Sequence, residues 1–167
     1  VYEEGKFAPN IVKLGRVPAY DLSNNYLVHK NDEKITIASS YTVCAWVYWK
    51  TDTKDRILFR LSGETEPLIF RNKTIKASDI DTPFVSESLI QDKWCFIGMY
   101  GKTNTTLHKR TYFSSNQKMS DVVYLGNDRD KALDGQTLTS IGGKSKNLGY
   151  VGQFWYWNRA LSQSEIN

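Results

Sequence analysis

Glu64-Thr65-Glu66 and Asp79-Ile80-Asp81 each set two carboxylates two positions apart, which on a strand puts both on one face. A glycosidase needs such a pair, held at a fixed separation across the sugar ring. The first pair lies in a turn bounded by Gly63 and Pro67 and the second in a polar linker, so both read as solvated turn carboxylates. A zinc site needs three or four ligands from cysteine and histidine; the chain offers only His29, His108 and two cysteines, and a disulfide between the cysteines would leave too few. The histidines read as exposed strand or turn residues. No Gly-x-Ser-x-Gly occurs and no serine has a recognisable base beside it. On these residues no enzyme activity is expected.

The segment Asn127-Asp128-Arg129-Asp130 through Asp134-Gly135 supplies three carboxylates and an amide within a short loop. These are hard oxygen donors of the kind calcium takes. Arg129 and Lys131 interleave with them, and an exposed turn carrying its own salt bridges is the plainer reading. Aromatic side chains are the richer resource. Trp46, Trp49, Trp94, Trp155 and Trp157, with their tyrosine neighbours, could stack on sugars or anchor a protein. Most must be core. In the closing stretch Phe154 and Tyr156 share one face and Trp155 and Trp157 the other; whichever face meets solvent is an interface candidate.

Cys44 and Cys95 each sit in a strand-like run. Two buried free thiols is one reading; a disulfide pinning two strands is the other, and it would place the protein outside the cytosol. The sequons Asn72-Lys73-Thr74 and Asn104-Thr105-Thr106 fit a secreted glycoprotein. The chain opens at Val1 rather than Met, so the expectation is a processed protein or a domain of a longer one, with any membrane anchor elsewhere. No apolar run approaches the ~20 residues of a membrane span. The net charge of +4 is mild, and its basic clusters, Lys109-Arg110 and Lys144/Lys146, are short, which argues against nucleic acid as a partner.

These groups need a scaffold, and 167 residues suffice for one domain with a core of its own. Aromatics at 13% favour strands. Strands are expected at Ile35–Ala38, Thr42–Trp49, Arg56–Ser62, Leu68–Arg71, Thr74–Ala77, Phe84–Leu89, Trp94–Tyr100, Thr106–Phe113, Val122–Leu125 and Thr137–Gly142. In Thr42–Trp49, Val43, Ala45, Val47 and Trp49 alternate with Cys44, Trp46 and Tyr48; neither face is polar, so both are expected to be covered. Gly149–Trp157 reads as a strand. Ser162 and Glu165 then form a capping box, with Leu161 and Ile166 as its hydrophobic staple. Residues 1–17 read as an N-terminal arm or edge strand and 18–167 as the domain. Many short strands and one short C-terminal helix mean an all-β sandwich.

The stretch Asn147-Leu-Gly-Tyr-Val-Gly-Gln-Phe-Trp-Tyr-Trp-Asn-Arg-Ala-Leu-Ser-Gln-Ser-Glu-Ile-Asn167 resembles, without a gap, the closing block of pentraxin and laminin-G-like domains. That block reads Gly-x-Ile-Gly-x-Val-x-x-Trp, then a few variable residues, then Leu-Ser-x-x-Glu-Ile. Tyr41-Thr-Val-Cys44 is similar to the pentraxin Phe-Thr-Val-Cys. The resemblance covers about residues 18–167. It implies a concanavalin A-like jelly roll of two antiparallel sheets, and a disulfide from Cys44 to Cys95.

It also implies a calcium site, and here the sequence departs. Where the family carries an acidic, amide-rich loop, this chain has Gly143-Lys144-Ser145-Lys146-Asn147. Glu64 and Glu66 stand near the family's earlier Asp-Asn pair, but alone they cannot fill a six- to eight-oxygen shell. No cofactor is therefore required, although a calcium ion at Glu64/Glu66 or at Asp128, Asp130 and Asp134 stays open. The expected function is a non-catalytic extracellular recognition or adhesion module, such as the ectodomain of a larger cell-surface receptor. It would bind a protein or matrix partner through Trp155, Tyr150, Lys144 and Lys146. A calcium-assisted, lectin-like glycan-binding domain is the alternative. Oligomerisation is open.

Overall fold

The computed structural model describes residues 2–4, 11–14, 17–23, 26–29, 35–50, 54–63, 65–78, 83–87, 89–103, 108–116, 122–126, 132–143 and 146–167. In chain order the strands begin with β1 (Tyr2–Glu4), β2 (Ile11–Leu14), β3 (Val17–Leu22), β4 (Leu27–His29) and β5 (Ser40–Tyr48). Next come β6 (Arg56–Ile57), β7 (Phe59–Leu61), β8 (Ile69–Arg71), β9 (Thr74–Lys76) and β10 (Phe84–Val85). The last are β11 (Cys95–Thr103), β12 (His108–Ser115), β13 (Val123–Gly126), β14 (Leu138–Ile141) and β15 (Gly149–Trp157), followed by the one-turn helix α1 (Gln163–Ile166).

The strands form three antiparallel sheets rather than two. One is seven-stranded, ordered β13-β12-β11-β5-β15-β3-β2; the others are four-stranded, β1-β4-β14-β7 and β10-β9-β8-β6. The division falls at Leu58. Its N–H donates to the Leu68 carbonyl at 3.0 Å, while its own carbonyl accepts from Gly142 N–H at 2.9 Å. A run that reads as one strand, Arg56–Ser62, thus pairs with β8 before that residue and with β14 after it. All three sheets feed one core. Val43, Ala45, Val47, Ile97, Met99 and Val151 come from the large sheet, Phe59, Leu61, Leu138 and Ile141 from one small sheet, and Phe70 and Ile75 from the other.

β5 is the axis of the large sheet, paired along its length with β11 and β15. Its alternation has the expected consequence: Val43, Ala45, Val47 and the following Trp49 are buried in the shared core, while Cys44 and Trp46 belong to a second cluster on the outward face. Gly98 makes the pairing possible. A Cβ there would stand 2.5 Å from Cys44 Cβ and 2.6 Å from the Phe113 ring, so only hydrogen lets Phe113 lie across the strand.

Three further sequence expectations change. Ile35–Ala38 contributes an isolated bridge, Thr36 to Thr137, rather than a strand. The Phe84–Leu89 strand shrinks to Phe84–Val85, because the chain turns after it: Leu89 N–H donates back to the Ser86 carbonyl at 3.3 Å. The third concerns the cysteines. Cys44 lies opposite Gly98, and Cys95 opposite Val47, so the two are three positions apart along each strand and point to opposite faces. Cys44 sits in the outward cluster and Cys95 in the shared core. Both are free thiols. An offset of three residues is about 10 Å along the strands, beyond what a disulfide spans. The expected bridge is therefore corrected to two buried thiols.

Burial raises both thiols: Cys44 is pushed up to about 12, and Cys95 is raised by the same desolvation. Folded protein at pH 8 should therefore resist iodoacetamide, since the thiolate is the reactive form. Denatured without reductant, it should yield two titratable thiols. Finding none would restore the bridge and overturn this strand register.

Candidate binding surface

Cross-strand pairing on the outward face of the large sheet sets aromatic side chains in rows. Phe113, Gly98, Cys44 and Trp155 are opposed in one row, and Phe96 and Trp46 in the next. Tyr48 stands opposite Tyr150, which stands opposite Asp21 of β3. Toward the other end Tyr100, Thr42 and Trp157 share a row. A bulge in β15 assembles this face. Between Val151, opposite Val47, and Phe154, opposite Ala45, β15 has one residue more than β5. Tyr150 therefore points the same way as Trp155 and Trp157, while Phe154 and Tyr156 pack on the shared core.

The chain covers part of this face itself. Thr42, fully buried, donates through Oγ1 to the Arg159 carbonyl and accepts from Leu161 N–H, both at 2.9 Å. This tether lays the C-terminal segment across the sheet. Leu161 and Ile166, the expected staple, close a cluster with Cys44, Phe96 and Phe113, and Trp46, Tyr100, Trp155 and Trp157 pack around it. The expected capping box is present: Ser162 Oγ accepts from Glu165 N–H, and Glu165 accepts from Ser162 N–H at 2.8 Å. Arg159 also pairs with Glu165 at 2.8 Å.

Beyond that cover, the described residues leave a group of aromatic rings on this face partly open. Tyr48 meets Trp94 edge-on at 5.7 Å between ring centroids and Tyr150 at 6.1 Å. All three are half-buried. The Trp94 ring lies over Gly152, where a Cβ would stand 3.4 Å from it. Asp21, half-buried beside Tyr150, is fixed by a hydrogen bond from Ser23 N–H at 3.0 Å. Three aromatic rings with one carboxylate at their edge form the best-defined surface for a ligand among the described residues.

The predicted partner residues do not gather in one place. Tyr150 lies in the open group. Trp155 is half-buried under the tail, stacked on Trp157 at 6.4 Å and 14° and edge-on to Phe96 at 6.5 Å. Lys146 is elsewhere: its ammonium binds both oxygens of Glu66, at 2.8 and 3.1 Å, and Arg60 reaches the same carboxylate at 3.3 Å. Lys144 lies outside the described residues. The sequence pointed to β5's outward residues, but which neighbours flank Tyr48 depends on register, so Trp94 and Asp21 were not grouped with it.

The calcium expectation can be tested at Glu66. Its side chain is 11% exposed and already shared by two cations, so an incoming dication would have to displace Lys146. Those residues do not fit a calcium site. Asp134 is exposed in the turn before Gly135, while Glu64, Asp128 and Asp130 lie outside the described residues. Among the described residues no group of three or more His, Cys, Asp or Glu could hold a metal. Asn72 is exposed in the β8–β9 turn, where a glycan would have room; Asn104 is outside the described residues, as are the side chains of His29 and His108. Among the described residues no helix is long and apolar enough to cross a membrane.

No family model and no curated protein sequence matches the chain. Among solved structures it is similar to a mutant of Trypanosoma rangeli sialidase displaying trans-sialidase activity, with 14% identity and a TM-score of 0.60 over 99% of this chain and 28% of that one. It is also similar to Trypanosoma rangeli sialidase, with 14% identity and a TM-score of 0.59, over 94% of this chain and 27% of that one. The chain thus spans little more than a quarter of either length. These structures correct the expectation that enzyme activity can be excluded. The same fold occurs as a portion of enzymes several times longer.

Two outcomes follow for the tail. Thr42→Val keeps the shape but leaves the Arg159 carbonyl and Leu161 N–H without their partner, and should cost about 1–3 kcal/mol in chemical denaturation. An unchanged midpoint would show that the tail is not tethered there. Glu165 is held below its ordinary value of 4.5, first by the Ser162 backbone N–H and then by Arg159. A depressed carboxyl stabilises fully above that ordinary value and loses the contribution as pH falls through the lower folded value. Acid should therefore loosen the tail below about pH 4.5, read as a shift in tryptophan emission, and Glu165→Gln should abolish that pH dependence.

Proposed function

We propose that this chain is an extracellular recognition module of the pentraxin and laminin-G-like jelly-roll type, carried within a larger protein, and that its ligand is a glycan. One observation carries the reading: the open group of Tyr48, Trp94 and Tyr150 on the outward face of the seven-stranded sheet, with Asp21 at its edge. Aromatic rings offer flat apolar faces to the C–H face of a sugar, and a carboxylate accepts from its hydroxyls. The likeness to sialidases supports this choice over a protein partner, since those are enzymes that act on sugars and are several times longer than this chain.

Because Glu66 is neutralised by Lys146 and Arg60, the glycan in this reading is held by aromatic rings and hydrogen bonds without a metal. A glycan array should register binding that chelator leaves unchanged. Trp94→Ala and Tyr150→Ala should each lower affinity by about tenfold, as for the central aromatic of an interface, with the circular-dichroism spectrum showing that the fold is retained. Binding that chelator abolishes, or that survives both substitutions, would defeat the proposal. Capture of an extracellular protein with no glycan bound would turn it to the protein-partner alternative.

A further inference from the structure

At the far end of the outward face, two residues past Tyr100, β11 carries Lys102, and β12 carries Lys109 directly opposite it. Alternation puts both on the face that bears Tyr100, Phe96 and Phe113. Both are exposed, and neither has an ion-pair partner among the described residues. Arg159, which the Thr42 tether brings to this end, is already paired with Glu165. Side chains directly opposed in an antiparallel pair stand about 5 Å apart at Cβ, where like charges repel. On an exposed strand pair, water and salt screen that repulsion.

The geometry points to an anion-binding subsite at Lys102 and Lys109, which receives the carboxylate or sulfate of an acidic saccharide. This rests on the glycan reading above and narrows it. One anionic group between two ammoniums would accept a charge-assisted hydrogen bond from each and turn their repulsion into attraction. Tyr100 is half-buried in the adjoining row, where it packs on Phe113. The open aromatic group lies about 25 Å away along β11, from Trp94 to Lys102. The tail covers the face between them, so the two ends are separate contacts rather than one groove.

The test uses an array of matched galactose-terminated, sialylated and sulfated oligosaccharides with the whole chain. Acidic glycans should bind more tightly than their neutral counterparts, and the gap should shrink as salt rises from about 0.05 M to about 0.5 M. Lys102→Gln and Lys109→Gln should each weaken acidic binding about fivefold, leave neutral binding unchanged, and hold or raise the melting temperature by relieving repulsion. The sialylated and sulfated arms separate a carboxylate ligand from a sulfate. Neutral binding without an acidic preference, or an acidic preference that survives both substitutions, overturns this inference and leaves the glycan reading standing. Absence of any glycan binding overturns both. A melting temperature that falls in both variants overturns it too, because the fold would then be using the lysines rather than tolerating them.

Discussion

The register of β5 between β11 and β15 is the constraint on which the rest depends. A strand apolar on both faces can be satisfied only when it is covered twice, and this chain does that by different means. On one side two smaller sheets close a shared core. On the other the chain's own C-terminal segment is drawn across by Thr42 and sealed by Leu161 and Ile166. The second cover is shorter than the face beneath it. What it leaves open, around Tyr48, Trp94 and Tyr150, follows from that shortfall.

Charge in this structure is spent unevenly. Glu66 is enclosed and answered by both Lys146 and Arg60, an arrangement in which removing either cation leaves the other in place. Lys102 and Lys109 face each other with no such answer among the described residues. A low-dielectric pocket tolerates no unpaired charge, whereas an exposed strand pair tolerates repulsion at modest cost because water screens it. The first pattern belongs to stability. The second is free to serve binding.

Much of this was legible in the residues, and the limits have physical causes. Local rules read well: Ser162, Glu165, Leu161 and Ile166 formed the expected cap and staple, and the two faces of β5 separated as their alternation required. What failed was non-local. A disulfide between Cys44 and Cys95 was plausible from two strand-like runs, but only the pairing of Cys44 with Gly98 and Cys95 with Val47 reveals that the thiols face apart. The division into three sheets turns on one residue, Leu58, whose two backbone bonds go to different strands. The surface group around Tyr48 draws members from three separated stretches, which no spacing rule connects. With the bridge gone, the sequons and the family resemblance are the features that point to an extracellular setting.

Gly152 lies against Trp94 and Trp46 on the outward face, which leaves Gln153 as the additional residue of the β15 bulge. Strand side chains obey parity, odd positions to one side and even to the other, and the additional residue in β15 is where this strand reverses it. Tyr150 and Trp155 have opposite parity yet share a face because of that reversal. Excising Gln153 would restore strict alternation without moving any aromatic side chain to the wrong side. A relative lacking this residue would therefore keep the same surface while its numbering slipped by one. Position-by-position comparison of such strands would then pair Trp with Tyr and misread a conserved surface as a scrambled one.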